Sequence, residues 1–259
     1  TALNSVLTQA EILAWGWRVP FLLGGVFGLC AMFLRRWLEE TPIFAEMKAK
    51  KQLVEGLPLK QVLGNSKIEV AVSMLLTWLL SAAIVVVILM TPTYLQKQLA
   101  IAPAVALQAN SLAIVALTVG CIFFGWLNDR FSSGVIFIVG SIGLGGAAYA
   151  FYHGVVADHA LLPILYPVVG FFVGIVGAVP YVMVNAFPPA IRFSGLSFSY
   201  NLSYAIFGGL TPMVVALWLK NEPMAPCYYV MALCGVGVLV GGWLLSQERQ
   251  ELTAVPEIN

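Results

Sequence analysis

The sequence predicts an all-α integral membrane protein, and three observations carry that prediction. Hydrophobic residues make up 60% of the chain and charged residues only 10%, against about 45–50% and about 25% in an ordinary soluble domain. The charges are clustered, leaving Val70 to Gln96, Gln98 to Asn128, Phe131 to Ala157, Ala160 to Ile191, Phe193 to Leu219 and Pro223 to Gln247 free of Asp, Glu, Lys and Arg. Each run exceeds the roughly 20 residues a helix needs to cross about 30 Å of hydrocarbon. The strands of a membrane barrel alternate apolar and polar residues over segments of about ten residues, and these runs do not follow that pattern.

Taken in order, residues 1–14 form the extracytoplasmic end of a preceding helix or loop. A first span covers 15–37, with Trp15, Trp17 and Trp37 at the two interfaces. Residues 38–68 make a long connection of mixed charge, in which Glu46 to Lys51 has the character of a surface helix. Six tightly linked spans then fill 69–247, at approximately 70–95, 103–127, 134–152, 161–183, 195–219 and 226–246, and 248–259 is a tail. Short loops force neighbouring spans to run antiparallel.

Lys and Arg in short loops face the cytoplasm. Of the 13 basic residues, all except Arg18, Lys97 and Lys220 fall in alternate connections or the C-terminal tail. Those connections and the C-terminus are therefore expected in the cytoplasm. The net charge of +1 leaves no footprint for nucleic acid. Cys30, Cys121, Cys227 and Cys234 lie in apolar stretches with no C-x-x-C pair, and read as small core hydrophobes. The sequon at Asn201-Leu202-Ser203 falls inside a span, where it has no glycosylation role. An enzyme would need a cluster of His, Asp, Glu or Cys at membrane depth, and the sequence places none there. No cofactor or metal is expected.

Small residues recur at helical spacing, as in Gly140-x-x-Gly143-x-Gly145-Gly146, Gly170-x-x-x-Gly174-x-x-Gly177 and Gly235-x-Gly237-x-x-x-Gly241. Such stripes let helix backbones approach closely; tight packing and sliding surfaces both require them. Pro92, Pro180 and Pro212 sit within or near the ends of spans, as kinks or as helix ends. His153 and His159 flank a short loop with Asp158. Trp218, Tyr228, Tyr229 and Trp243 lie near run ends as interface anchors.

The sharpest motif is Gly125-Trp126-Leu127-Asn128-Asp129-Arg130-Phe131. It resembles the G-x-L-x-D-R-x-G-R signature of the major facilitator superfamily, in the loop between the eighth and ninth helices. Trp15-Gly16-Trp17-Arg18-Val19-Pro20-Phe21, Leu38-Glu39-Glu40-Thr41-Pro42-Ile43-Phe44 and Phe187-Pro188-Pro189-Ala190-Ile191-Arg192-Phe193-Ser194-Gly195 are similar to segments of one branch, the metabolite:proton symporters related to proline/betaine, α-ketoglutarate, citrate and shikimate transporters. The sequence departs from the pattern after Phe131, where Ser132 and Ser133 replace Gly-Arg, and before Phe187, where Asn185 and Ala186 stand in place of an acidic residue.

The resemblance implies helices six to twelve of a twelve-helix fold, with the N-terminal bundle absent from this chain. It implies a multi-pass protein of the bacterial inner membrane, whose complete form carries a small carboxylate or zwitterion together with a proton by alternating access. The competing reading is a truncated remnant that does not transport. Gly125, Asp129, Arg130 and Arg192 then form a gating motif, with Asp129 facing a helix N-terminus of the absent half.

No charged residue lies well inside any span; Glu69 and Lys97 stand at helix ends. Ionisable groups inside a membrane mark proton paths, so the coupling carboxylate is expected in the absent bundle. The polar interior is uncharged. Ser197, Asn201, Tyr204, Gly208 and Thr211 are spaced to share one face of an α-helix. Ser73, Thr77 and Ser81 share another, with Trp78 alongside, and Tyr181, Asn185, Gln108 and Asn110 lie on two further spans. Trp78, Thr77, Asn110, Tyr181, Tyr200, Asn201 and Tyr204 are the substrate-cavity candidates. For any one of them an interhelical hydrogen bond is the competing role.

Overall fold

The computed structural model describes residues 7–37 and 58–254. Every regular element among them is helical, and seven helices are long and apolar enough to cross a membrane. The all-α membrane class is borne out. The chain divides into two compact units, Thr1–Leu53 and Val54–Asn259.

The first unit holds α1, Gln9–Ala14, and α2, Val19–Arg35. A capping box starts α1: Glu11 N–H donates to Thr8 Oγ1 (3.4 Å), while Glu11 Oε2 accepts from Thr8 N–H (2.9 Å) and from the Thr8 hydroxyl (2.7 Å). Those hydrogen bonds hold the Glu11 carboxyl below its ordinary pKa. Pro20 sits in the first turn of α2, where its missing N–H costs nothing. The helix carries no buried residue and presents Phe21, Phe27 and Phe33 outward, a surface compatible with lipid and not with water. The connection expected at 38–68 lies largely outside the described residues, including its Glu46 to Lys51 stretch.

The second unit begins with α3, Pro58–Asn65, and continues through α4 (Lys67–Gln98), α5 (Pro103–Asn128), α6 (Ser133–Ala157), α7 (His159–Ala186), α8 (Arg192–Trp218) and α9 (Ala225–Ala254). Two ends differ from the expectation from sequence. Charge patterning puts the sixth span of the bundle at approximately 226–246 with a tail from 248, yet α9 continues through the polar stretch to Ala254; charged residues with good helix propensity extend a helix beyond the apolar run that starts it. Likewise α6 runs to Ala157, so His153 is a helical residue stacked on Tyr149 at 4.1 Å and not part of a loop.

Glycines decide how the helices pair. A β-carbon at Gly177 would lie 2.7 Å from the Cys121 carbonyl oxygen, and one at Gly170 or Gly174 would collide with the backbone of Ala113 or Gly120. So α7 lies directly on α5. In the same way Gly134 and Gly241 bring α6 onto α9, a β-carbon at either meeting the other's carbonyl oxygen at 2.6 and 2.8 Å. Gly146 and Gly235, in the same stripes, face open space. Close packing is the role the contacts assign to the first group.

Three helices of the bundle are irregular, each for a related reason. Residues Ile84–Met90 of α4 and Tyr204–Gly208 of α8 are wound as π-helix, and Gly174–Ala178 of α7 as 3₁₀-helix. Pro92, Pro212 and Pro180 lack the N–H that would bond the carbonyl four residues earlier, and their rings crowd it. Those carbonyls belong to Ile88, Gly208 and Val176, each inside an irregular segment. The bundle core joins Leu76, Leu79, Leu95, Phe137, Phe151, Tyr152 and Tyr166. Outside it, Ile122 and Leu239 are 70% and 75% exposed, as lipid-facing side chains are.

Candidate functional site

Most of the candidate residues fall into three places in the second unit, with Asn110 and Arg192 outside them. The first joins α4, α8 and α9. Trp78 Nε1–H donates to the Tyr229 hydroxyl (3.2 Å), and the Tyr229 hydroxyl lies 2.8 Å from Thr211 Oγ1, which donates to the Phe207 carbonyl at 2.6 Å. Because Thr211 has one proton and spends it on Phe207, Tyr229 must be the donor to Thr211. The chain of bonds therefore has one direction, from Trp78 to Phe207 O. The Trp78 ring stacks on Phe207 at 4.4 Å. The indole N–H is thus committed to protein, and only the ring remains to meet a ligand. Tyr229, read from sequence as an interface anchor, is instead the middle of this chain. Its position near a run end gave no hint of that.

Thr77 is fully buried and donates to Ser73 O at 2.8 Å, with Met183 Sδ at 3.4 Å. It faces the core, so the expectation that it contacts substrate is corrected. Asn110 Oδ1 lies 2.5 Å from the Tyr166 hydroxyl, which is also 2.8 Å from Val87 O. Asn110 ties α5 to α7 beside the π segment of α4.

The second place is the outward face of α8. The five-residue face expected there is broken by the π segment. Before it, Asn201 is exposed and its amide donates to Ser197 O (2.8 Å) and Ser197 Oγ (3.3 Å); after it, Thr211 is only 1% exposed. A π turn takes more residues than an α turn, so a spacing counted at 3.6 residues per turn loses phase across it. Between these ends Ser203 donates to Met74 O at 2.7 Å, fixing α8 against α4. Tyr200 and Tyr204 stand as a ring pair with centroids 4.9 Å apart. Asn201 also lines a shallow groove of about 560 Å³ with Leu59 of α3 and Phe198.

The third place is the end of the bundle that carries the Asp129 motif. A cavity of about 620 Å³ is lined there by Asn128, Asp129, Arg130, Tyr181, Asn185, Glu69, Trp243 and Glu248, among others. Asp129 caps the C-terminus of α5, its N–H donating to Gly125 O at 3.2 Å. The Arg130 guanidinium lies over the Trp126 ring, 4.7 Å from its centre. Glu248 accepts from the Ser132 hydroxyl, the residue standing where the signature has glycine. Tyr181 belongs to this place and is not beside Tyr200 and Asn201. Arg192 does not line the cavity; its Nε donates to Phe187 O at 3.2 Å and closes the turn before α8. A β-carbon at Gly125 would meet nothing within 4 Å.

Sequence reading did not select Glu248, Glu69 or Trp243 for this cavity. Glu248 follows the last charge-free run, and Glu69 opens α4 more than fifty residues from the motif it joins. Only the fold brings them together.

A helical bundle closed by glycine contacts, with uncharged polar faces and a carboxylate–arginine motif at one end, is the architecture of a polytopic membrane protein. The chain belongs to the Major Facilitator Superfamily, whose sequence model matches residues 2–212. It is similar to the glycine betaine/proline/ectoine/pipecolic acid transporter OusA of Dickeya dadantii, 30% identical over 254 residues that cover 92% of this chain and 50% of that protein. It is similar to the proline/betaine transporter of Salmonella typhimurium, 29% identical over 255 residues with 92% and 50% covered. A Staphylococcus aureus protein provisionally named a proline/betaine transporter is 30% identical over 251 residues, with 92% and 52% covered. The chain spans about half the length of the curated relatives it matches. No solved structure gives a significant match.

Proposed function

We propose that this chain is one half of a secondary transporter of the bacterial inner membrane, which carries a small zwitterion such as betaine or proline together with a proton. The observation that carries the reading is the outward polar face of α8, where Tyr200, Asn201 and Tyr204 gather within two turns of one helix. Aromatic faces favour a quaternary or secondary ammonium group, and an amide oxygen can accept from the N–H of a secondary one. The names of the similar proteins support the same substrate class.

In this reading the site lies between two bundles that rock about it, and the α8 face is this half's wall. Asp129 and Arg130 sit at the cytoplasmic end and hold that side shut against the other half. Arg192 fixes the start of α8, so it sets the height of the tyrosine pair. The spans hold no Asp, Glu, Lys or Arg at mid-depth, which supports a proton-binding carboxylate in the other half.

The test is uptake of labelled betaine and proline by the full-length protein in cells, with and without a protonophore. Asn201→Ala and Tyr204→Ala should each lower uptake about tenfold or more, the loss of one hydrogen bond or one cation–π contact of 1–2 kcal/mol. Protonophore-insensitive uptake removes the proton; full uptake by both variants removes the α8 face.

A further inference from the structure

Tyr204 and Phe207 are three residues apart, a spacing that puts two side chains on one face of an α-helix. Here they part. Tyr204 pairs with Tyr200, while Phe207 stacks against Trp78 of α4 with only 17° between the ring planes. Both lie in the π segment Tyr204–Gly208, whose wider turn separates them. Gly208 leaves room for the Tyr204 ring, since a β-carbon there would meet Tyr204 Cδ1 at 3.0 Å. We propose that Tyr229 of α9 is a positioning residue for substrate: it holds Phe207 against Trp78, keeping the Tyr200–Tyr204 rings open to an ammonium group and above all to a quaternary one. This role rests on the α8 face being the substrate wall.

The winding of α8 is a balance between two registers, and side chains tip it. An α register pairs each carbonyl with the N–H four residues on, a π register with the N–H five on. Pro212 has no N–H, so it deprives Gly208 O in the first register and Phe207 O in the second. The Thr211 hydroxyl replaces only the second loss, donating to Phe207 O at 2.6 Å. The same device recurs in α4, where Val87 precedes Pro92 by five and its carbonyl accepts from the Tyr166 hydroxyl at 2.8 Å. Tyr229 donates to Thr211, 2.8 Å away, and so keeps the threonine's one proton on Phe207 O. It also accepts from Trp78 Nε1–H at 3.2 Å. Phe207 is thereby gripped twice, by its carbonyl through Thr211 and by its ring through the indole that Tyr229 orients. Without that grip the α register regains ground, Phe207 swings back to the Tyr204 side and the ring pair is crowded.

The ligand decides how much this matters. The group of Asn201 that faces Ser197 O at 2.8 Å must be its NH₂, because a carbonyl only accepts; the amide oxygen is left for a ligand. A secondary ammonium has an N–H for that oxygen and keeps this contact when the rings are disturbed. A trimethylammonium group has none and depends on the rings.

The test is equilibrium binding of labelled betaine and labelled proline to the full-length protein in nanodiscs, with thermal unfolding of each variant alongside. Tyr229→Phe should raise the Kd for betaine about fivefold or more, the loss of one cation–ring contact, and that for proline by less than about twofold. Thr211→Val should shift the ratio of the two affinities in the same way, and the double variant should shift it no further than either alone, as members of one chain do. Thr211→Ser keeps the hydroxyl and should keep the unaltered ratio. Gly208→Ala, which pushes the Tyr204 ring directly, should weaken betaine with Tyr229 intact. A loss of stability lowers both ligands together and does not move the ratio. An unchanged ratio in Tyr229→Phe, or parallel losses of both ligands, overturns the role of Tyr229 and leaves the α8 face standing. Failure of the unaltered protein to bind either ligand, or full betaine binding by Tyr204→Ala, removes the face and the role of Tyr229 with it.

Discussion

Tyr229 shows how a single hydroxyl acquires its role from its neighbours. In sequence it is one of several aromatics near a helix end; in the fold it receives the Trp78 N–H and gives its own proton to Thr211. Gly174 is a second case. Its stripe reads as either a sliding or a packing surface, and its collision course with Gly120 makes it packing. Gly174→Ala should therefore destabilise the bundle by about 1–3 kcal/mol, the cost of forcing atoms into a filled interface. Gly146→Ala, on a residue that faces open space, should be neutral or stabilising by up to about 1 kcal/mol through helix propensity. Equilibrium unfolding in mixed micelles of the two variants measures both, and equal effects would show that α5 and α7 do not meet as described.

The behaviour of α4 and α8 belongs to the element. Each helix reads from sequence as one continuous apolar run, and each is wound in part as π-helix ahead of a proline. The prolines are legible in the sequence; which winding results is not, because a freed carbonyl can be met by a wider turn, a narrower one or a side chain. At α8 the wider turn carries Thr211 into the core. Pro212→Ala restores an N–H able to bond the Gly208 carbonyl, so the segment should tighten toward α-helix. The expected outcome is protection of the amide at 212 in hydrogen exchange, with slowed exchange through 208–212. Exchange at 208–210 as fast as in the unaltered chain would mean that packing against α4, and not the proline, sets the winding.

At the scale of the whole molecule, the asymmetry of basic residues sets an expected orientation: the Asp129 end and the end of α9 toward the cytoplasm, Lys97 and Lys220 outside. A membrane-impermeant maleimide applied to intact cells should label Asn221→Cys in the full-length protein and spare Gln247→Cys, above the background of the native cysteines. The reverse pattern would invert the assignment. The cavity at the Asp129 end follows that assignment, so the same experiment says which side of the membrane it meets.

The sequence by itself determined the class of this protein and its family. Long charge-free runs can be satisfied only by helices in hydrocarbon, where each backbone group is bonded within its own segment, and the Gly125–Phe131 motif survives as a string of adjacent residues. What required the tertiary structure was every relation between residues on different helices. Glu248 joined Asp129, Tyr181 left the company of Tyr200, and Thr77 turned inward. The physical reason is common to all of them. A periodicity counted along one helix gives a face but not its partner, and one π turn is enough to rotate the face itself.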